Sequence, residues 1–331
     1  MIAPRFPRLA AAICCLWVLS DLSMAETPPP GPTITMAMVG DIMLDETPGQ
    51  VIQEGRDPFA PFAALLDTAD IQIGNLECVV ATGGAAEPGK PYTFRAHPRV
   101  LEPLKRHFDA VSLANNHSGD FGPEAFGEML PLLERQGIGW FGGGADLAQA
   151  HRPLIIERHG LRIAFLGYDE FFPRSFEADF DRPGVAWSED EQVQLDIASA
   201  RRIHQADLVI PFMHWGWEKD TTASPRQRQL ARLMIDAGAD AVVGGHPHVI
   251  QDTEVYRGRP ILYSLGNFVF NGFTEEVNNT GWLLRLELDH QGVRRWRTFM
   301  ARIDPEGIPH PDAQVNGACW ERGQEQSVPC G

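Results

Sequence analysis

The chain has 331 residues, 44% of them hydrophobic, enough for one large core or two small ones. Its 28 Lys and Arg stand against 44 Asp and Glu, a formal net charge of −16. That balance excludes a nucleic-acid binder, which needs a basic footprint, and says little about fold.

The N-terminus is a separate object. "MIAPRFPRLAAAICCLWVLSDLSMAE" carries Arg5 and Arg8, an apolar stretch from Leu9 to Leu19, then Ser23, Met24 and Ala25, which fit a small-x-small cleavage site. Residues 1–25 are therefore expected to be an export signal and 26–32, with "TPPPGP", a short stiff linker. An uncleaved membrane anchor is the alternative, although the apolar stretch is short for a span of about 20 residues. The protein is accordingly expected outside the cytoplasm, periplasmic or extracellular.

Strands and helices then alternate. "TITMAMVG" (33–40) reads as a strand, "PFAPFAALLDTA" (58–69) as a helix and "DIQIGNLE" (70–77) as a strand. A Gly- and Pro-rich loop covers 80–93, followed by a helix at 97–107, a strand at 109–117 and a helix at 122–137. Residues 152–168 alternate about His159-Gly160 as a hairpin, and 169–187 form a long loop. A helix over 189–205, a strand over 206–218 and a helix over 224–238, capped by Ser224 with Pro225 in its first turn, lead to "ADAVVGGHPHVIQ". Further strands include a hairpin about Gln291-Gly292. This is an α/β (α+β) pattern with one domain over 33–305 and a tail over 306–331. Cys319 and Cys330 share that tail and are expected to pair in an oxidising compartment, leaving Cys78 as a small buried residue.

Apolar strands repeatedly end in polar residues: Asp41; Asn75 and Glu77; Asn115, Asn116, His117 and Asp120; His214 and Glu218; His246 and His248. Polar atoms are costly inside a buried strand, so groups stacked at successive strand ends point to one crevice at the sheet edge. Asp, Glu, Asn and His together suit Mn, Fe or Zn. The bland alternative is a set of hydrogen-bonded loop residues.

In order and spacing, "MVGDIMLDE", "IGNLECVV", "LANNHSGDFG", "MHWGWE", "GGHPHVIQ" and "YSLGNFVF" resemble the CapA family of poly-γ-glutamate capsule-synthesis proteins over about 34–303. That family is similar to the calcineurin-like metallophosphoesterases, which implies a β-sandwich flanked by helices and a two-metal centre. The resemblance assigns Asp41, Asn75, Glu77, Asn116, His214, His246 and His248 to metal binding. It makes His117 the acid and Asp120 its orienting partner. Met43 stands where the pattern has a ligand histidine, and Asn75 where it has a bridging carboxylate, a place Glu77 can fill. One ion is then held firmly by Asn116, His214, His246 and Glu77, and a second weakly by Asp41 and His248. On this reading Met43→His raises metal stoichiometry. His246 and His248, two apart on an extended segment, face the same side, with Pro247 fixing the bend.

Substrate contacts are expected from Arg95, Trp215, Glu218 and Asn267, with Trp217 and Phe268 along the groove. Arg95 suits a carboxylate or phosphate, or else a surface ion pair. Two functions stay open. One is an exported metal-dependent hydrolase or transferase acting on an anionic polymer or phosphoester, in the company of a membrane polymer-synthesis complex. The other is a non-catalytic envelope protein that binds or helps export the polymer. The secreted protein is expected to begin near Glu26 by mass spectrometry; an intact Met1 in the membrane fraction identifies the anchor instead.

Overall fold

Alternation along β1 (Ile34–Ile42) sets the plan of the molecule. Met36 and Met38 enter one apolar cluster, Ala37 and Val39 another, because successive side chains of a strand point to opposite faces. β2 (Ile71–Leu76) and β3 (Ala110–Ser112) lie parallel beside it in a ten-stranded sheet. β4 (Leu161–Asp169), β5 (Leu208–His214) and β6 (Val242–Gly245) form the parallel centre of a second, six-stranded sheet. β7 (Asn267–Val269) pairs parallel with β1, and the hairpin of β8 (Thr280–Asp289) and β9 (Gly292–Ile303) continues the first sheet antiparallel. These elements come from a computed structural model that describes Met1, Ile2 and residues 33–330. Nearly all of the expected leader and linker falls outside the described residues.

Between the two sheets lies a common core that includes Met36, Ile73, Phe165, Ile210, Val243 and Leu286. The outer face of the first sheet is covered by α2 (Leu101–His107) and α3 (Gly122–Gln136), following α1 (Glu46–Gln53) in the chain. The outer face of the second is covered by α4 (Asp190–Arg202) and α5 (Pro225–Ala237). The expected β-sandwich flanked by helices is thus present. α5 starts as its sequence predicts: Ser224 Oγ accepts the Gln227 N–H at 3.3 Å and Gln227 Oε1 accepts the Ser224 N–H at 2.8 Å.

Some elements differ from the pattern. The helix expected over 58–69 is a 3-10 turn, Ala60–Phe62, running into the short helix Ala63–Leu66. α1 is not among the expected elements; its Pro48 sits in the first turn, where no intrahelical N–H bond is required. The expected tail is not a tail. Ala318–Glu321 pairs with β9, Val328–Pro329 pairs with Ala318–Glu321, and Trp320 enters the core between the sheets. Cys319 and Cys330 are joined across this small hairpin. Among the described residues no helix is long and apolar enough to cross a membrane.

The parallel strands run in one direction, so their C-terminal ends meet at one edge of the sandwich. Register makes this concrete: Asp41 lies opposite both Asn75 and Asn267, and His214 opposite both Gly245 and Asp169. Side chains of β2 and β5 that face the other sheet, Ile71, Ile73, Leu208, Ile210 and Phe212, are followed at the same parity by Asn75, Glu77 and His214.

Candidate metal centre

At the C-terminal edge, two groups of side chains bring ligand atoms within 4.8 Å of one another: Glu77, His214 and His246, and Asp41, Glu77 and His248. Glu77 belongs to both. Its Oε1 is 3.8 Å from His214 Nε2 and 3.6 Å from His248 Nε2, and it has no hydrogen-bond partner. His246 Nε2 is likewise buried without a partner. Orphaned buried atoms of this kind are costly in a folded protein, and here both belong to the first group.

The two groups can be completed by amide oxygens. Asn116 Oδ1 lies 2.8 Å from His214 Nε2, and Asn267 Oδ1 lies 2.8 Å from His248 Nδ1. His214 and His246 approach at 3.1 Å between ring nitrogens. Burial, and then the neighbouring histidines, push both rings well below the usual imidazole range, leaving them in the neutral form that binds metal. Burial pushes the Glu77 carboxyl well up, and the Asp41 charge adds to it. At Asp41 burial also works upward, but hydrogen bonds from His248, Asn75 and the His246 backbone outweigh it and hold the carboxyl low. Two buried carboxylates and three buried histidines of this kind fit divalent cations, whose charge reverses the penalty on Glu77.

The backbone is shaped for the same purpose. A Cβ at Gly245 would sit 2.5 Å from Asp41 Oδ1, so only glycine lets Asp41 come in from the opposite sheet. His246 and His248 have φ of 92° and 54°. The segment is therefore a turn, not the extended stretch that the sequence suggests, and the two rings serve different groups. Non-glycine residues held in this region cost about 1–3 kcal/mol each and collect at functional sites.

His117 stands beside the second group. Its Nδ1 is 2.7 Å from Asp120 Oδ2, and its ring packs 4.6 Å from Phe94. Burial lowers its pKa against the opposing pull of Asp120. His117, His248 and Glu218 line one cleft of about 430 Å³. Lys90, Asn116, Asp169 and Phe171 line another of about 300 Å³. Lys90 Nζ forms an ion pair with Asp120 and donates to the Asn116 carbonyl at 2.5 Å. Burial pushes the Asp169 carboxyl up to about 7.

Of the expected ligands, Asp41, Glu77, Asn116, His214, His246 and His248 come together. Asn75 does not present an oxygen: its Nδ2 donates to Asp41 at 2.9 Å and Glu77 at 3.3 Å, and its Oδ1 accepts from Asn115 at 3.0 Å. It orients two carboxylates. Met43 is not an empty ligand position either. It packs in the apolar core on the helix side of the first sheet, and its Sδ accepts the Asp45 N–H at 3.2 Å. Of the expected substrate contacts, Glu218 lines the cleft beside His117. Arg95 donates to the carbonyls of Gly83 and Gly84 and covers Phe121. Trp215 is fully buried, with its indole N–H on the Tyr263 carbonyl at 2.8 Å. Phe268 packs against Phe62 in the core, and Asn267 faces His248. Asp169 and Lys90 are not singled out by sequence. Asp169 ends an apolar strand, the same signal that marks His214; Lys90 sits in a Gly-Pro loop without any such signal.

Residues 35–272 match the family described as bacterial capsule synthesis protein PGA_cap. The chain belongs to that family. It is 33% identical over 284 residues to the PGA biosynthesis protein CapA of Bacillus subtilis, covering 84% of this chain and 73% of that protein. It is 32% identical over 287 residues to the capsule biosynthesis protein CapA of Bacillus anthracis, covering 84% and 69%. Among solved structures it is similar to the NAD nucleotidase of Haemophilus influenzae, with 13% identity, 85% of this chain and 60% of that one covered, and a TM-score of 0.49. Likeness at that level adds nothing to the chemistry of the site. The family relationship places the chain among capsule-synthesis proteins.

Because Glu77 belongs to both groups, Glu77→Gln is expected to abolish metal binding at both. His214→Ala and His246→Ala are each expected to lose metal binding at the first group only, and His248→Ala at the second only. Elemental analysis and manganese titration check the pattern. Met43→His, which buries an imidazole among apolar side chains, is expected to lower the thermal midpoint and leave the stoichiometry unchanged.

Proposed function

We propose that this chain is a metal-dependent hydrolase or transferase of the cell envelope, acting on a capsule polymer such as poly-γ-glutamate or on a phosphoester. The observation that carries the reading is the Glu77 carboxylate: one unpartnered oxygen lies between two histidine-containing groups, with the His117–Asp120 pair alongside. Export and the company of a membrane polymer-synthesis complex belong to the same proposal. They rest on the leader-like N-terminus and on the capsule relatives.

Asn116, His214, His246 and Glu77 would hold one divalent ion, and Asp41, Glu77, His248 and Asn267 a second, which would supply Lewis acidity to an ester or amide. The chain's own residues do the rest. Asn75 holds the Asp41 and Glu77 carboxylates in register through one amide group. His117 is fixed by Asp120 at Nδ1, while its Nε2 has no partner among the described residues and is the atom that exchanges a proton with the leaving group. Burial of the ring makes its protonated form a readier donor. Lys90 pairs with Asp120 and donates to the Asn116 backbone carbonyl, so one cation ties the acid's partner to the residue whose amide oxygen faces His214.

His117→Ala is expected to keep its metal and lose turnover of phosphodiester or γ-glutamyl substrates by roughly 10²–10⁴-fold, the usual contribution of a positioned acid. Metal analysis alongside steady-state kinetics checks this. Loss of metal equal to that of His246→Ala makes His117 a ligand instead. Bound metal with no turnover of any ester or amide in the unmodified protein overturns catalysis and leaves a polymer-binding role.

A further inference from the structure

The cleft beside His117 differs in character from what an anionic substrate alone would require. Its inner wall is aromatic. Phe270 and Phe273 lie 4.9 Å and 5.1 Å from the His248 ring, and Phe94 packs edge-on to Phe270 at 5.7 Å. Its charged side chains, histidines apart, are three carboxylates and one lysine. Glu46 and Glu218 stand in it, and Glu218 forms no hydrogen bond or ion pair among the described residues. The lysine of the cleft, Lys219, is neutralised by Glu275 at 2.6 Å.

A second observation is independent of these carboxylates. Asn278 lines the same cleft and is 1% exposed. Its Nδ2 donates to the His248 carbonyl at 3.0 Å, but its Oδ1 is buried with no partner. A buried acceptor without a donor is costly, and this one belongs to a side chain that lines the cleft. Aromatic faces, free carboxylate and orphan carbonyl share one preference: each attracts a cation that carries N–H groups.

We propose that this cleft binds an ammonium group of the substrate, close to the bond that His117 serves. The placement rests on His117 as the leaving-group acid; the binding itself does not. A polyanionic chain presents its side-chain carboxylates poorly to Glu46 and Glu218, whereas the free amino terminus of a polyamino acid fits them. An amino-alcohol headgroup on a phosphoester carries the same chemistry.

Calorimetric titration of the metal-loaded protein with n-butylamine, charged at neutral pH, and with 1-butanol, its neutral counterpart, tests the charge preference. The amine is expected to bind roughly tenfold tighter or better, in line with a carboxylate acting together with aromatic faces. Glu218→Gln and Phe273→Ala should each remove most of that margin. Equal binding of amine and alcohol, or a margin untouched by both substitutions, overturns the proposal. Two further ligands identify the source. Tighter binding of γ-glutamyl-glutamate than of its N-acetyl form assigns the polymer's amino terminus, and tighter binding of phosphoethanolamine than of the dipeptide assigns a headgroup. The two readings fail separately. Amine-selective binding with no turnover of any ester or amide sinks the hydrolase and leaves the ammonium cleft standing; turnover without amine selectivity does the reverse.

Discussion

One carboxylate organises the molecule. Glu77 is fully buried, its Oε2 is tied to Asn75, and its Oε1 is left between His214 and His248. Without a cation the arrangement is unfavourable, because burial and the neighbouring Asp41 both oppose its charge. With a cation on either side the same low dielectric strengthens every ligand contact. The sandwich can be understood as the frame that holds this carboxylate in place: β2 brings it, β5 and β6 bring the histidines from the other sheet, and β1 and β7 bring Asp41 and Asn267.

Such a frame needs close approach between sheets. Gly245 supplies it on one side by leaving room for Asp41, and the left-handed turn after it swings His246 and His248 in different directions. Strain in that turn is tolerable because its neighbours fix it from several directions. Asp41 accepts the His246 N–H at 3.2 Å, Asn278 holds the His248 carbonyl, and the Phe171 ring lies 4.0 Å from that of His246.

Much of the frame is readable in the sequence, because apolar runs at period two give way to polar residues where strands end. That signal finds Asp41, Glu77, Asn116, His214, His246 and His248 without any coordinates. It fails where the direction of a side chain matters. Asn75 is in the right place but turns a donor to the site, Met43 faces the other way into the core, and Trp215 lies behind its strand. Motif alignment fixes a position along the chain and not the side on which a residue emerges, and β1 is irregular here, with its register shifting on both sides of Asp41. Lys90 and Asn278 escape for another reason. Their roles depend on partners 30 residues away in each case, Asp120 and His248, and no local period encodes that.

The disulfide-linked hairpin at the C-terminus bears on how the protein behaves in company. Large sheets are vulnerable at their open margins, where unpaired N–H and C=O groups can recruit a strand from another molecule. Here the first sheet finishes in Val328–Pro329, two residues long and including a proline that has no N–H to offer, and Cys330 anchors it to the strand beneath. At this edge the longest sheet therefore ends in a margin that gives another chain almost nothing to add to.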